Sequence, residues 1–255
     1  MSKMQQTIKK EINFSGKGIH TGVFTNMTLK PAKENHGIKF IRVDLSTHPI
    51  IEADIDNLYK TERSTSLKKK SAEVHTVEHI LAAITGSNID NIIIEIDNLE
   101  IPILDGSAKE FTRKIQAAGI ETQKNKRTYL EIKRKITLID KETGTKLEAT
   151  PSETYEINVQ VDYKSTVLDT QKAVLNNISN FNMEIAASRT FCFLHELEEM
   201  LEKNLVKGGD LNNAIVIVEN EMSPKKLEKL QKAFNNPSIK VNKHGYLNNI
   251  ELRYD

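Results

Sequence analysis

The sequence predicts an α+β fold of two similar domains, each a β-sheet packed with helices, with the second domain incomplete. Three observations carry that expectation. Strand patterns lead into a helix, an apolar strand and a second helix, and from Arg127 the chain returns to strand patterns. A segment of the second half, GGDLNNAIVIVE (Gly208 to Glu219), can be laid on GSNIDNIIIEI (Gly86 to Ile96). Both end a helix at glycine and enter a β-branched strand through a polar turn, the mark of an internal duplication. Between them Glu121 to Lys126 is polar and lysine-rich, as a link between domains would be. The expected division is 1–124 and 125–255, with a ligand site between the two.

Bulk properties set the class. The chain has 255 residues, 38% hydrophobic and 28% charged, which suffices for a sizeable core. A formal net charge of +1 sets up no global field that would recruit nucleic acid or a membrane surface. Lys68-Lys69-Lys70 reads as a solvated turn. Cys192 is the single cysteine, which excludes an internal disulfide and suits a reducing compartment. No apolar run reaches the length of a membrane span, and the first residues lack the apolar core of a secretion signal. A cytoplasmic protein without an integral membrane segment is expected.

The elements follow in order. Thr7 to Phe14 and Thr25 to Leu29 read as strands around the turn-rich SGKGIHTG, Ser15 to Gly22. Gly37 to Asp44 alternates as a strand, with weaker ones at Ile51 to Tyr59 and Ser64 to Lys68. A helix is expected from His75 to Ile84, with Val77, Ile80, Leu81 and Ile84 as its apolar stripe and Gly86 as its stop. Asn91 to Ile96 is a strand, and Ser107 with Glu110 forms a capping box for a second helix ending at Gly119. Tyr129 to Ile139, Lys146 to Ala149 and Tyr155 to Tyr163 read as strands, and Asn182 to Phe191 contains a strand-like run. Helices are expected at Phe193 to Leu201 and at Ser223 to Asn235, the latter with Ser223 as N-cap and Pro224 in first place.

The chemistry centres on HTVEH, His75 to His79. Two histidines four apart share a helix face, and Glu78 stands between them. A metal hydrolase needs such parts: a nitrogen ligand for a Lewis-acid ion and a carboxylate base for water. The spacing H-x-x-E-H is that of the inverted zinc proteases, but it is short and recurs by chance in helices. A catalytic zinc site needs three protein ligands, and no second ligand pair stands out. His195 lies on a charged helix face, and His36, His48 and His244 lie in turns. On spacing alone, ordinary helix-surface histidines outweigh a metal site.

The stretches SGKGIHTG, TVEHILAAITGSNIDN, EIPILDGSAKEF, ASRTFCFLHELEEMLEKNLVKGGDLNNAIVIVEN and LNNIELRYD, in this order, cover nearly the whole chain. Together they resemble the zinc-dependent UDP-3-O-acyl-N-acetylglucosamine deacetylases of lipid A biosynthesis. The resemblance implies two α+β domains enclosing a Zn(2+) site, and an acylated UDP-N-acetylglucosamine as substrate. It implies that His79 is a zinc ligand, that Glu78 is the general base and that the Thr190 hydroxyl stabilises the oxyanion. It also implies that Phe191 lines the substrate site, that Lys207 contacts polar groups of the substrate, and that His75 is no ligand.

One departure stands against these matches. The family completes its zinc site with a histidine and an aspartate on a C-terminal helix, in a His-Lys…Asp pattern, and has a further histidine as general acid. No His-Lys-x-x-x-Asp occurs in this sequence. IELRYD, at the chain's end, looks like the approach to the absent helix, as EIPILD leads to the second helix of the first half. The expectation is a piece of a longer deacetylase that is inactive as it stands. The alternative is a truncated relative that binds a ligand or partner without metal. The segment Glu219 to Asn249 is similar to the branch fused to a hydroxyacyl-carrier-protein dehydratase. Without a helix over its second sheet, the 255-residue protein is expected to expose an apolar face and to be poorly soluble. Size-exclusion chromatography and urea unfolding test this; a monodisperse, cooperatively unfolding monomer would refute it.

Overall fold

A computed structural model describes residues 4–202 and 207–247. The first half builds ten strands and two helices. They are β1 (Met4–Ile8), β2 (Ile12–Lys17), β3 (Phe24–Pro31), β4 (Ile38–Arg42), β5 (Ile50–Glu52), β6 (Leu58–Lys60), β7 (Ser66–Lys69) and β8 (Ala72–His75). Helix α1 (Glu78–Gly86), β9 (Ile92–Ile96), helix α2 (Lys109–Ala118) and β10 (Ile120–Lys126) follow.

A mixed sheet runs in the order β2-β3-β9-β4-β5. Its centre is β9, antiparallel to β3 and parallel to β4. The alternation in IIIEI turns Ile92, Ile94 and Ile96 into the core, while Glu95 faces out and pairs with Lys30 at 2.8 Å. Ile80 and Ile84 of α1 and Phe111 and Ile115 of α2 join that core, together with Phe14, Leu29 and Phe40. Phe111 meets Phe14 with ring centroids 5.0 Å apart. A smaller antiparallel sheet, β6-β7-β8, lies beside them.

Several local expectations are corrected. The single strand over Thr7 to Phe14 is two, broken at the charged Lys9-Lys10-Glu11. Ile51 to Tyr59 is likewise divided by a 3₁₀ turn, Ile55–Asn57, capped by the Asp54 side chain. The supposed link Glu121 to Lys126 belongs to β10, which pairs antiparallel with β1. Its lysines suit an edge strand, where charge discourages further pairing. Arg127 then closes the first half by donating to Asp90 at 2.6 Å. Ser107 does accept from the Lys109 amide at 3.1 Å, but Glu110 pairs with Arg113 instead of completing a capping box.

The second half is assembled differently. It contains two antiparallel hairpins, β11 (Ile136–Ile139) with β12 (Lys146–Ala149) and β13 (Ile157–Asp162) with β14 (Thr170–Leu175). A short helix α3 (Phe181–Glu184) occupies part of the stretch expected to be strand-like. It is followed by β15 (Phe191–Phe193), helix α4 (Leu194–Glu202), β16 (Ile215–Ile217) and helix α5 (Pro224–Ala233). The Ser223 hydroxyl caps α5 and Pro224 opens it, as the sequence foretells. Like α1 and β9, α4 and β16 form a helix–turn–strand unit, and β16 runs parallel to β15 as β9 does to β4. Leu175, Ile178, Phe181 and Ala186 pack into the core of the first half, and further buried residues form two small clusters, one around Val216, Leu230 and Ile239 and one around Leu168, Ile215 and Ile217. By contrast Ile136, Leu138, Ile139, Leu147 and Val159 are exposed.

The two halves therefore differ in how much a truncation should cost. Phe111→Ala is expected to destabilise the fold by about 3–5 kcal/mol, against under ~0.5 kcal/mol for Leu138→Ala, as read from urea midpoints.

Candidate active site

The first turn of α1 carries the two residues singled out by the sequence, but not in the frame expected. His75 is the last residue of β8, paired with Ser66, and its Nε2 lies 3.1 Å from Glu73 Oε2. Thr76 then takes a left-handed backbone, φ 59°, and the helix begins only at Glu78. His75 and His79 thus share no helix face. The cause is tertiary: the His75 amide donates to Leu99 O and its carbonyl accepts from the Ile101 amide, which holds it in strand pairing.

Glu78 and His79 are left at the helix start. Glu78 Oε2 accepts from the Thr65 amide at 3.0 Å, and Oε1 lies 4.0 Å from His79 Nε2. Burial pushes the His79 pKa below its ordinary value, with the charges of Glu78 and Asp105 opposing that shift. A neutral imidazole keeps the lone pair that a metal ligand needs. His79 therefore suits one ligand position. Among the described residues no group of three or more His, Cys, Asp and Glu could hold a metal, so they do not by themselves furnish the three ligands of a catalytic zinc.

The other candidates come from the second half and meet the first through backbone contacts. The Thr190 amide donates to Gly106 O at 2.8 Å, next to the Asp105 whose charge His79 feels. A Cβ at Gly106, where φ is +80°, would fall 2.0 Å from Asn213 O, so the close approach requires glycine. Phe191, 36% exposed, leans edge-on against Tyr163 and Phe193. Arg63, two residues before Thr65, pairs with Glu196 of α4 at 3.2 Å. Lys207 is exposed, and its backbone abuts Gly22 of the SGKGIHTG loop. Thr190 is thus tied to the turn that neighbours His79, while Lys207 reaches the site region only through that loop.

Sequence reasoning passed over the group that joins these pieces. Glu100, in the quoted EIPILD, has 0% exposure. Its carboxylate accepts from the His20 amide (3.0 Å), the Thr21 amide (2.8 Å), the Thr21 hydroxyl (2.6 Å) and the Thr76 hydroxyl (2.8 Å). Burial alone would raise its pKa; the hydrogen bonds from Thr21, His20 and Thr76 outweigh it and hold the carboxyl below its ordinary value. The available signal was a lone carboxylate opening an otherwise apolar stretch, since such a group is buried only when paired.

Fold and site together define a mixed α+β protein with a carboxylate and an imidazole side by side at a helix start. The deacetylase family model "LpxC: UDP-3-O-acyl N-acetylglycosamine deacetylase" matches residues 5–233, and the chain belongs to that family. It is 42% identical over 248 residues to the "Bifunctional enzyme LpxC/FabZ" of Bacteroides thetaiotaomicron, covering 97% of this chain and 54% of that protein. The enzyme of the same name from Porphyromonas gingivalis is 41% identical, with 98% of this chain and 54% of that protein covered. A "UDP-3-O-acyl-N-acetylglucosamine deacetylase" of a Geobacter species is 40% identical over 217 residues, 85% of this chain and 70% of that protein. The chain spans about half the length of the two bifunctional relatives.

Cys192, between Phe191 and Phe193, offers a test of how closed this region is. Burial, aided by the charge of Glu196, pushes its thiol up to about 11, with Arg63 opposing. Its alkylation by iodoacetamide at pH 8 is expected to be at least tenfold slower in the native protein than in urea, because only the thiolate reacts. A native rate equal to the unfolded one would show the thiol to be open. Its raised pKa also means that folding stability falls as pH rises from about 9 towards 11, where the unfolded thiol ionises first.

Proposed function

We propose that this chain carries part of the site of a zinc-dependent deacetylase. The reaction is hydrolysis of the acetamide of UDP-3-O-acyl-N-acetylglucosamine with release of acetate, the committed step of lipid A biosynthesis. The observation that carries the reading is the pairing of Glu78 and His79 on one helix turn, with one carboxylate oxygen tethered and the other turned to the imidazole. In this reading the chain forms two related α+β domains, 1–124 and 125–255, and it works in the cytoplasm. Among the described residues no helix is long and apolar enough to cross a membrane.

His79 would hold zinc together with further ligands, which the described residues do not group beside it. When bound, the ion supplies a Lewis acid for the amide carbonyl and lowers the pKa of water. The chain's own residues then divide the work. Because Glu78 Oε2 is engaged by the Thr65 amide, Oε1 is the atom that takes a proton from the attacking water. The Thr190 hydroxyl donates to the oxygen on which negative charge develops. Phe191 provides an apolar wall, and Lys207 meets polar groups of the UDP-sugar.

The test is acetate release and zinc content, measured for this chain and for a form extended past residue 255 by the matching segment of the Bacteroides thetaiotaomicron relative. The extended form is expected to bind zinc and turn over, and Glu78→Gln should lower kcat by about 10²–10⁴-fold while retaining the metal. Full activity in Glu78→Gln would remove the base assignment. An extended protein with neither zinc nor turnover would leave the non-catalytic reading.

A further inference from the structure

We infer that Glu100 is a positioning residue for this site: its buried carboxylate sets, through Thr76, the turn that presents Glu78 and His79, and, through His20 and Thr21, the loop on which the Lys207 segment rests. The inference deepens the proposed function and rests on it for the roles of Glu78 and Lys207.

The geometry behind it begins with an unusual backbone. Thr76 is β-branched yet holds φ 59°, a region such residues avoid. It is also 2% exposed, so its hydroxyl has no water to turn to. The bond from that hydroxyl to Glu100 Oε1 therefore ties down the strained residue between β8 and α1. Two residues further on is Glu78. The parallel bridge of His75 to Glu100 brings the two chains together at this point.

The second arm runs the other way. Glu100 Oε2 takes both the amide and the hydroxyl of Thr21, whose oxygen also accepts from the Val23 amide at 3.2 Å. A Cβ on Gly18 would stand 2.2 Å from Glu100 Oε2, so the loop lies directly on the carboxylate. On its far side the loop touches the second half. The Gly208 amide donates to Ile19 O at 3.3 Å, and a Cβ on Gly208 would fall 1.9 Å from Gly18 O. One layer of backbone separates Glu100 from Lys207 and Gly208.

All four groups facing the carboxylate are donors, which decides why a glutamate is needed. A carboxylate only accepts, whereas the amide of glutamine would set its own N–H groups against two of them. A neighbouring role in mere stability predicts loss of the fold. Positioning predicts more: a displaced Glu78 in a protein that still folds.

Amide NMR of the 255-residue chain separates the two. In Glu100→Gln the His20 and Thr21 amides should exchange about ten- to hundredfold faster, as loss of charge-assisted bonds implies. The Thr65 amide, which touches Glu78 and not Glu100, should lose its hydrogen-bonded shift. Thr76→Val should reproduce the change at Thr65, and Thr76→Ser, which keeps the hydroxyl, should not. An unmoved Thr65 signal in a folded Glu100→Gln protein would overturn the inference, as would a Thr76→Ser protein that behaves like Thr76→Val. If Glu100→Gln does not fold, the Thr76 pair decides alone. Failure of the deacetylase reading would appear in the acetate assay and would leave these amide signals as described.

Discussion

A carboxylate with no exposed surface constrains this protein more than any other single group. Burying the Glu100 charge is costly unless every lone pair meets a donor, and the chain meets that demand with backbone and hydroxyl groups from two separate loops. The consequences spread outward. His75 is drawn into strand pairing, Thr76 accepts an unfavourable backbone, and α1 begins three residues later than local periodicity suggests. Gly18 must remain without a side chain because the carboxylate fills the space.

The two halves answer the same packing problem unequally. In the first, a five-stranded sheet has strands on both sides of β9 and helices over one face, so its isoleucines are sealed from water. In the second, β15 and β16 form only a pair, and the buried residues are divided between the core of the first half and two small clusters of their own. Ile136, Leu138 and Leu147 remain in solvent along one hairpin. A hairpin alone cannot bury an apolar face, since that takes a further layer. The helix–turn–strand unit shared by both halves therefore sits in a thick setting once and in a thin one the second time.

Leu175, Ile178, Phe181 and Ala186 of the second half pack into the core of the first, and where the halves instead meet backbone to backbone, glycines mark the contact. Gly106 meets Asn213, Gly22 meets Lys207, and Gly208 meets Gly18, each at a separation that leaves no room for a Cβ. Thr190 and the Asp105–Gly106 turn are joined in the same way.

Much of this was legible in the sequence, for reasons that are local. The alternation in β9, the Ser223-Pro224 start of α5 and the glycine-ended helices follow from side-chain period and capping, which need no partner. The order of long motifs was enough to place the chain in its family. What tertiary structure alone decided was the fate of residues with two acceptable conformations. His75 could extend a helix or end a strand, and pairing with Leu99 and Ile101 chose the strand. Glu121 to Lys126 could link or pair, and β1 supplied the open edge. The partners of Glu100 could not be read locally, because His20 and Thr21 lie about 80 residues away and Thr76 lies 24 away, and only folding brings them near. Local propensity fixes an element's type, but burial of a charge depends on what the rest of the chain places around it.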